Sequence, residues 1–161
     1  RAYCRGDRST ARFNNIIYLS GNSYLSAGSA IEFEGEGSSG EIISRNIVKD
    51  KARAIAPGYL CAKNTDVRAH MECRGLILND GAVVHAIPEL YSEYQDVEMS
   101  HEAAVGRIAD KEINYLMSRG LSREAATSII VRGFLDVDIL GLPEGLSHEV
   151  EGIVDALVDG M

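Results

Sequence analysis

The chain has 161 residues, 45% hydrophobic and 25% charged, and a formal net charge of −8. That composition excludes disorder, and no apolar run approaches the roughly 20 residues of a membrane span. The acidic balance disfavours nucleic acid as a partner.

The start, Arg1 to Arg5, is no signal peptide. Arg1, Arg5, Arg8 and Arg12 form a basic cluster around Arg5-Gly6-Asp7. From about Asn14 to Met99 the pattern predicts short strands. Ile16–Leu19 precedes the turn-prone Ser20-Gly21-Asn22-Ser23. Ala30–Glu34 alternates apolar and polar before a Gly/Ser turn over Gly35–Gly40. Glu41–Val48, Ala52–Ala56, Val67–Cys73, Leu76–Leu78 and Ala82–Ile87 continue, punctuated by Pro57-Gly58 and Asn79-Asp80-Gly81. Such a run fits a sandwich, a barrel or a β-solenoid, and no crisp repeat decides among them.

After Gly106 the period becomes helical. Asp110 is placed as an N-cap, with Ile113, Leu116 and Met117 as an apolar stripe ending at Gly120. Ser122 caps a second helix with Ala125, Ala126, Ile129, Ile130 and Phe134 on one face. Beyond Leu142-Pro143, a third helix with Val150, Ile153, Val154 and Leu157 inward is expected. From Asp136 onward there are seven acids and no Lys or Arg, against 17 acids and 16 bases before it. This tail is a solvated face or a docking surface for a basic partner. The expected boundaries are 1–106 for the β part and 107–161 for the helical part.

Three cysteines, Cys4, Cys61 and Cys73, lack CxxC spacing and cannot all pair, so a reducing, cytoplasmic setting is expected. His101-Glu102 lacks the second His of a zinc-protease helix, because position 105 is Val. No phosphate-binding Gly-Lys-Ser/Thr loop and no GxSxG elbow occur. The pair that remains is Cys73 and His101. Thiolate and imidazole suit iron or zinc, and Glu102 adds an oxygen donor. Strand parity puts Cys73 with Val67, Ala69 and Met71, and His101 with Val97 and Met99. The plain alternative is therefore a structural cysteine and a core histidine.

Three stretches carry a more specific signal. They are Glu72-Cys73-Arg74-Gly75-Leu76-Ile77-Leu78, His85-Ala86-Ile87-Pro88-Glu89-Leu90 and Met99-Ser100-His101-Glu102-Ala103-Ala104-Val105-Gly106-Arg107-Ile108. With Asn114 through Ser122 and Ile129 through Phe134, they resemble the end of the core domain in the SufB/SufD family of iron–sulfur cluster assembly scaffolds. The resemblance covers Met71–Val137, with residues 1–70 matching only loosely. It implies a mainly β then α chain: a right-handed parallel β-helix (solenoid) with a small C-terminal helical domain.

It also implies a non-enzymatic scaffold that holds a transient iron–sulfur cluster. A second SufB/SufD-type subunit would pair through the β-helix, and a SufC-type ATPase would dock on the C-terminal helices. Cys73 matches the sulfur-accepting and cluster-holding cysteine, His101 the histidine linked to iron, and Glu102 an acidic neighbour typical of SufB. Ser100 and Pro88-Glu89-Leu90 are more SufD-like. The expected ligand set is Cys73, His101 and Glu102, with Cys73 of one subunit facing His101 of the other. The family's chains are longer, so a C-terminal portion is expected. A plain interaction module and a cupin-like metalloenzyme are the competing classes.

Overall fold

The computed structural model describes residues 1–135 together with Gly152, Asp155 and Ala156. The third predicted helix and most of the acidic tail lie outside the described residues. The chain divides into two compact units, Arg1–Gly106 and Arg107–Met161.

The first unit is a parallel β-solenoid. Its strands are β1 (Ala2–Cys4), β2 (Thr10–Leu19), β3 (Tyr24–Ser26), β4 (Ser29–Phe33), β5 (Ser39–Val48), β6 (Arg53–Ala62), β7 (Val67–Ile77), β8 (Val83–Ser92) and β9 (Val97–Arg107). One sheet stacks β2, β5, β7 and β9. The other stacks β1, β4, β6 and β8, with β3 beside the start of β6. This decides among the three β architectures that the residues alone left open.

In the earlier coils a strand lies 29 residues from its neighbour: Thr10 pairs with Ser39, Ser39 with Arg68, and Ser29 with Gly58. The last coil is 30 long, since Arg53 pairs with Val83. Corners repeat with the same spacing. Arg8, Gly37 and Asp66 all have positive φ, as do Gly21 and Asp50. Asp50 Oδ2 accepts from the Gly21 amide, and Asn79 Oδ1 accepts from the Asp50 amide one coil on.

Alternation then sorts side chains into an inner and an outer face. Ile31, Phe33, Ile42, Leu60, Val67 and Met71 fill the interior and are fully buried. The outer faces carry charged side chains that find opposite charges on neighbouring strands. Arg12 pairs with Glu41, Arg45 and Arg74 both hold Glu72, and Glu32 sits between Arg1 (3.3 Å) and Lys63 (2.6 Å).

Several predicted breaks are not breaks. Pro57-Gly58 lies within β6, and β8 runs on through Pro88, past its expected end at Ile87. Residues 56–57 fall opposite Ala27-Gly28, between the β3 and β4 segments, where the ladder is interrupted on that side. Val67–Cys73 and Leu76–Leu78 merge into β7.

In the second unit, α1 (Asp110–Ser118) packs on α2 (Arg123–Leu135). Ala109, not Asp110, occupies the cap position and makes no side-chain cap bond; Asp110 instead begins the first turn, where its charge suits the helix dipole. Ser122 does cap α2, its Oγ accepting from the Ala125 amide at 3.1 Å. The buried stripe of α2 is Ala126, Val131 and Leu135, whereas Ile129 is 50% exposed. No helix among the described residues is long and apolar enough to cross a membrane.

The coil spacing leaves no room at Gly35, where an added Cβ would stand 2.1 Å from the Gly6 carbonyl oxygen. Gly35→Ala is expected to cost at least about 2 kcal/mol, as forced overpacking does. Gly6→Ala, with open space around its Cβ, should stay within about 0.5 kcal/mol of wild type. Denaturant unfolding of both variants checks the pair, and equal midpoints would contradict this stacking.

Candidate functional site

Cys73 sits in β7 on the inner face, 2% exposed, within the cluster that contains Met71, Ile42 and Val67. Its partner in β5 is Ser44. Burial pushes its thiol up, and the neighbouring Glu72 carboxylate acts in the same direction.

His101 sits in β9, two residues beyond Met99, which packs against the same inner cluster. The 30-residue offset holds at both ends of the β7–β9 pair. His70 Nδ1 meets Ser100 Oγ at 2.8 Å, and an added Cβ at Gly75 would stand 3.1 Å from Val105 Cγ2. His101 therefore lies beside Met71, one strand over and two residues along from Cys73. Their Cα atoms are roughly 8 Å apart by strand spacing and rise. Both side chains face the interior of one chain. His101 Nε2 is buried and has no hydrogen-bond partner among the described residues. A buried ring nitrogen left without a partner is costly unless something else fills its lone pair or takes its proton.

Glu102 is not part of this arrangement. It follows His101 on the strand, so it faces outward and is exposed. Among the described residues, no group of three or more His, Cys, Asp or Glu side chains is arranged to hold a metal ion. One thiol and one imidazole on an inner face is the donor set that the fold brings together. His70 and His85 lie elsewhere on β7 and β8, and His148 lies outside the described residues.

The remaining thiols are free and buried. Cys4 belongs to the inner cluster. Cys61 lies beside Glu32 in the β4–β6 ladder, on the outer side of β6. A hydrogen bond with Cys61, followed by burial, pushes the Tyr59 hydroxyl up to about 12. A surface cavity of about 450 Å³, lined by Arg1, Ser29, Gly58, Tyr59 and Glu89 among others, includes neither Cys73 nor His101.

Polar residues that sequence reading passed over also occupy inner positions. Asn15, Ser44 and Asn46 share parity with Phe13, Ile42 and Val48. Their signal was available as polar residues at inward steps of strongly apolar strands.

Comparison with known proteins adds the context for this thiol. The family described as SUF system FeS cluster assembly, SufBD core domain, matches residues 1–134. The chain belongs to the SufBD family. The match starts at residue 1, so residues 1–70 are part of the family core and not merely loosely similar to it.

Among similar proteins is an iron–sulfur cluster assembly SufBD family protein of Methanothermobacter thermautotrophicus (strain Delta H). It is 45% identical over 160 residues, covering 99% of this chain and 39% of the relative. One from Archaeoglobus fulgidus is 46% identical over 154 residues, covering 96% of this chain and 41% of the relative. One from Pyrococcus horikoshii is 34% identical over 158 residues, covering 98% and 35%. The chain thus spans about two fifths or less of the length of these curated relatives. The family model and the names of these relatives both describe iron–sulfur cluster assembly.

A buried, unassisted thiol is mostly protonated at neutral pH. Cys73 should therefore react with iodoacetamide along a pH profile whose midpoint lies above the roughly 8.5 of a free thiol. Peptide-resolved mass spectrometry of the alkylated chain reads this directly; a midpoint at or below the free value would refute the burial argument.

Proposed function

We propose that this chain is the part of a non-enzymatic SufBD scaffold on which a transient iron–sulfur cluster, its cargo, is built. Cys73 accepts sulfur and binds iron as the thiolate, and His101 supplies an imidazole ligand. The reading rests on one observation above others: a family member's buried thiol shares its inner face with a buried imidazole nitrogen that has no partner among the described residues. Iron at the site would displace the thiol proton, which reconciles a raised thiol pKa with a thiolate ligand. Two protein ligands are too few for a permanent cluster and suit one that must leave. The in-chain pair is preferred to a cross-subunit pair because both side chains turn toward their own interior. Glu102, across the strand, plays no part in that pair.

A second SufB- or SufD-type subunit, identical or paralogous, is proposed to lie against the edge of β9, the last strand in its sheet order. That would set the cluster next to a subunit interface. A SufC-type ATPase is proposed to dock on the C-terminal helices, whose exposed Tyr115, Met117 and Ile129 offer it apolar contacts. ATP hydrolysis would belong to that partner. A cytoplasmic setting fits three cysteines that are all free.

The test is anaerobic reconstitution of the full chain with its partner subunits, using ferrous iron and sulfide. Visible absorption and bound iron are measured for wild type, Cys73→Ala, His101→Ala and Cys61→Ala. Wild type and Cys61→Ala should hold iron, Cys73→Ala should lose nearly all of it, and His101→Ala should bind at least about tenfold more weakly, as losing a ligand or its close support does. Iron retained by Cys73→Ala, or a colourless wild type, would overturn the scaffold assignment.

A further inference from the structure

The interior beside Cys73 is not uniformly apolar. Ser44, 5% exposed, is the direct β5 neighbour of Cys73, and Asn46, 1% exposed, is two residues further along the same inner face. Asn46 Nδ2 donates to Ser44 Oγ at 3.0 Å. It lies 3.5 Å from the Arg74 carbonyl oxygen, at the limit of a second bond. Asn46 Oδ1 is buried and has no partner among the described residues. Asn15, the next polar residue in the row, is already engaged with Ser29 at 3.0 Å.

The donor and acceptor count is informative. Ser44 Oγ accepts from Asn46, which leaves its hydroxyl proton free to donate. Asn46 Oδ1 is free to accept. One donor and one acceptor therefore stand unused next to a thiol, inside a core where unused polar groups are destabilising. A sulfur bonded to Sγ extends the side chain by about 2 Å, and Ser44 is the residue directly beside it on β5.

We propose that Ser44 and Asn46 form a binding subsite for the outer sulfur of a Cys73 persulfide. Ser44 donates its hydroxyl proton to the persulfide anion. When the persulfide is protonated, its S–H donates to Asn46 Oδ1. Both are positioning residues, and the assignment rests on the reading of Cys73 as the sulfur acceptor. The loading step can be driven by inorganic tetrasulfide. The Cys73 thiolate attacks a terminal sulfur, one S–S bond forms as another breaks, and trisulfide dianion leaves with the electron pair.

The experiment loads the full chain with tetrasulfide under anaerobic conditions. It follows the one-sulfur mass gain on the Cys73 peptide during a chase with glutathione. Wild type is compared with Ser44→Ala, Asn46→Ala and the conservative Ser44→Thr. Ser44→Ala should shorten the persulfide lifetime about tenfold, the scale of a lost charge-assisted hydrogen bond, and Ser44→Thr should restore it. Asn46→Ala should shorten the lifetime less, because the bond lost is to a neutral S–H. Iodoacetamide labelling of the unloaded Cys73 thiol should be unchanged across the set, which a merely structural effect would not give.

Equal lifetimes in all variants would overturn the subsite, as would a wild type that gains no sulfur at Cys73. Should Asn46→Ala fail to fold, the two Ser44 variants decide alone. A chain that keeps the persulfide through these residues yet never binds iron would leave the subsite standing while removing the cluster reading.

Discussion

Backbone hydrogen bonding between parallel strands at a fixed 29-residue spacing governs this molecule. Once the first coil is in register, each position inherits its neighbours from the coils before and after it. An inward residue must then suit other inward residues, and an outward charge meets the residue stacked upon it. Phe13, Ile42 and Met71 form one such inner row. Arg45 and Glu72, on adjacent strands, show the outer rule, in which opposite charges lie within reach and like charges are kept apart or bridged.

The same constraint creates the tension at the candidate site. Rows that stabilise the solenoid do so by excluding water, and a thiol placed in one is held in its neutral, unreactive form. Ser44, Asn46 and His101 interrupt that dryness at neighbouring positions of one sheet. Each introduces polar capacity, and Asn46 Oδ1 and His101 Nε2 are both buried and unmatched among the described residues. Stability alone gives no reason for two such atoms to flank one cysteine, whereas a transient polar guest does.

Much of this was legible in sequence, for identifiable reasons. The change from period 2 to period 3.6 after Gly106 is a property of local residue order, and it marks the boundary between the two units. Inward parity for Cys73 and His101 followed from alternation with Met71 and Met99. The coil length was not legible. Its markers are conformational, and Arg8, Gly37 and Asp66 share a left-handed backbone without sharing a residue type. Pro57-Gly58 resembled a turn because the sequence cannot show that the neighbouring strand is interrupted opposite it. Glu102 entered the expected ligand set as an oxygen donor beside His101 and through the family resemblance, and as the next residue on the strand it faces the opposite side.

The extra residue in the last coil shows where this architecture can change. Asp50 still meets Asn79 at the 29-residue spacing, while Arg53 already meets Val83 at 30. The added position is absorbed between them, around Gly81 with its φ of +95°. Strands β8 and β9 then resume with inner and outer residues in phase. Length variation is thus confined to corners, where an insertion shifts no inward side chain. Evolution can lengthen or decorate a coil there while the rows that surround Cys73 stay in place, so this interior can be inherited more strictly than the outline around it.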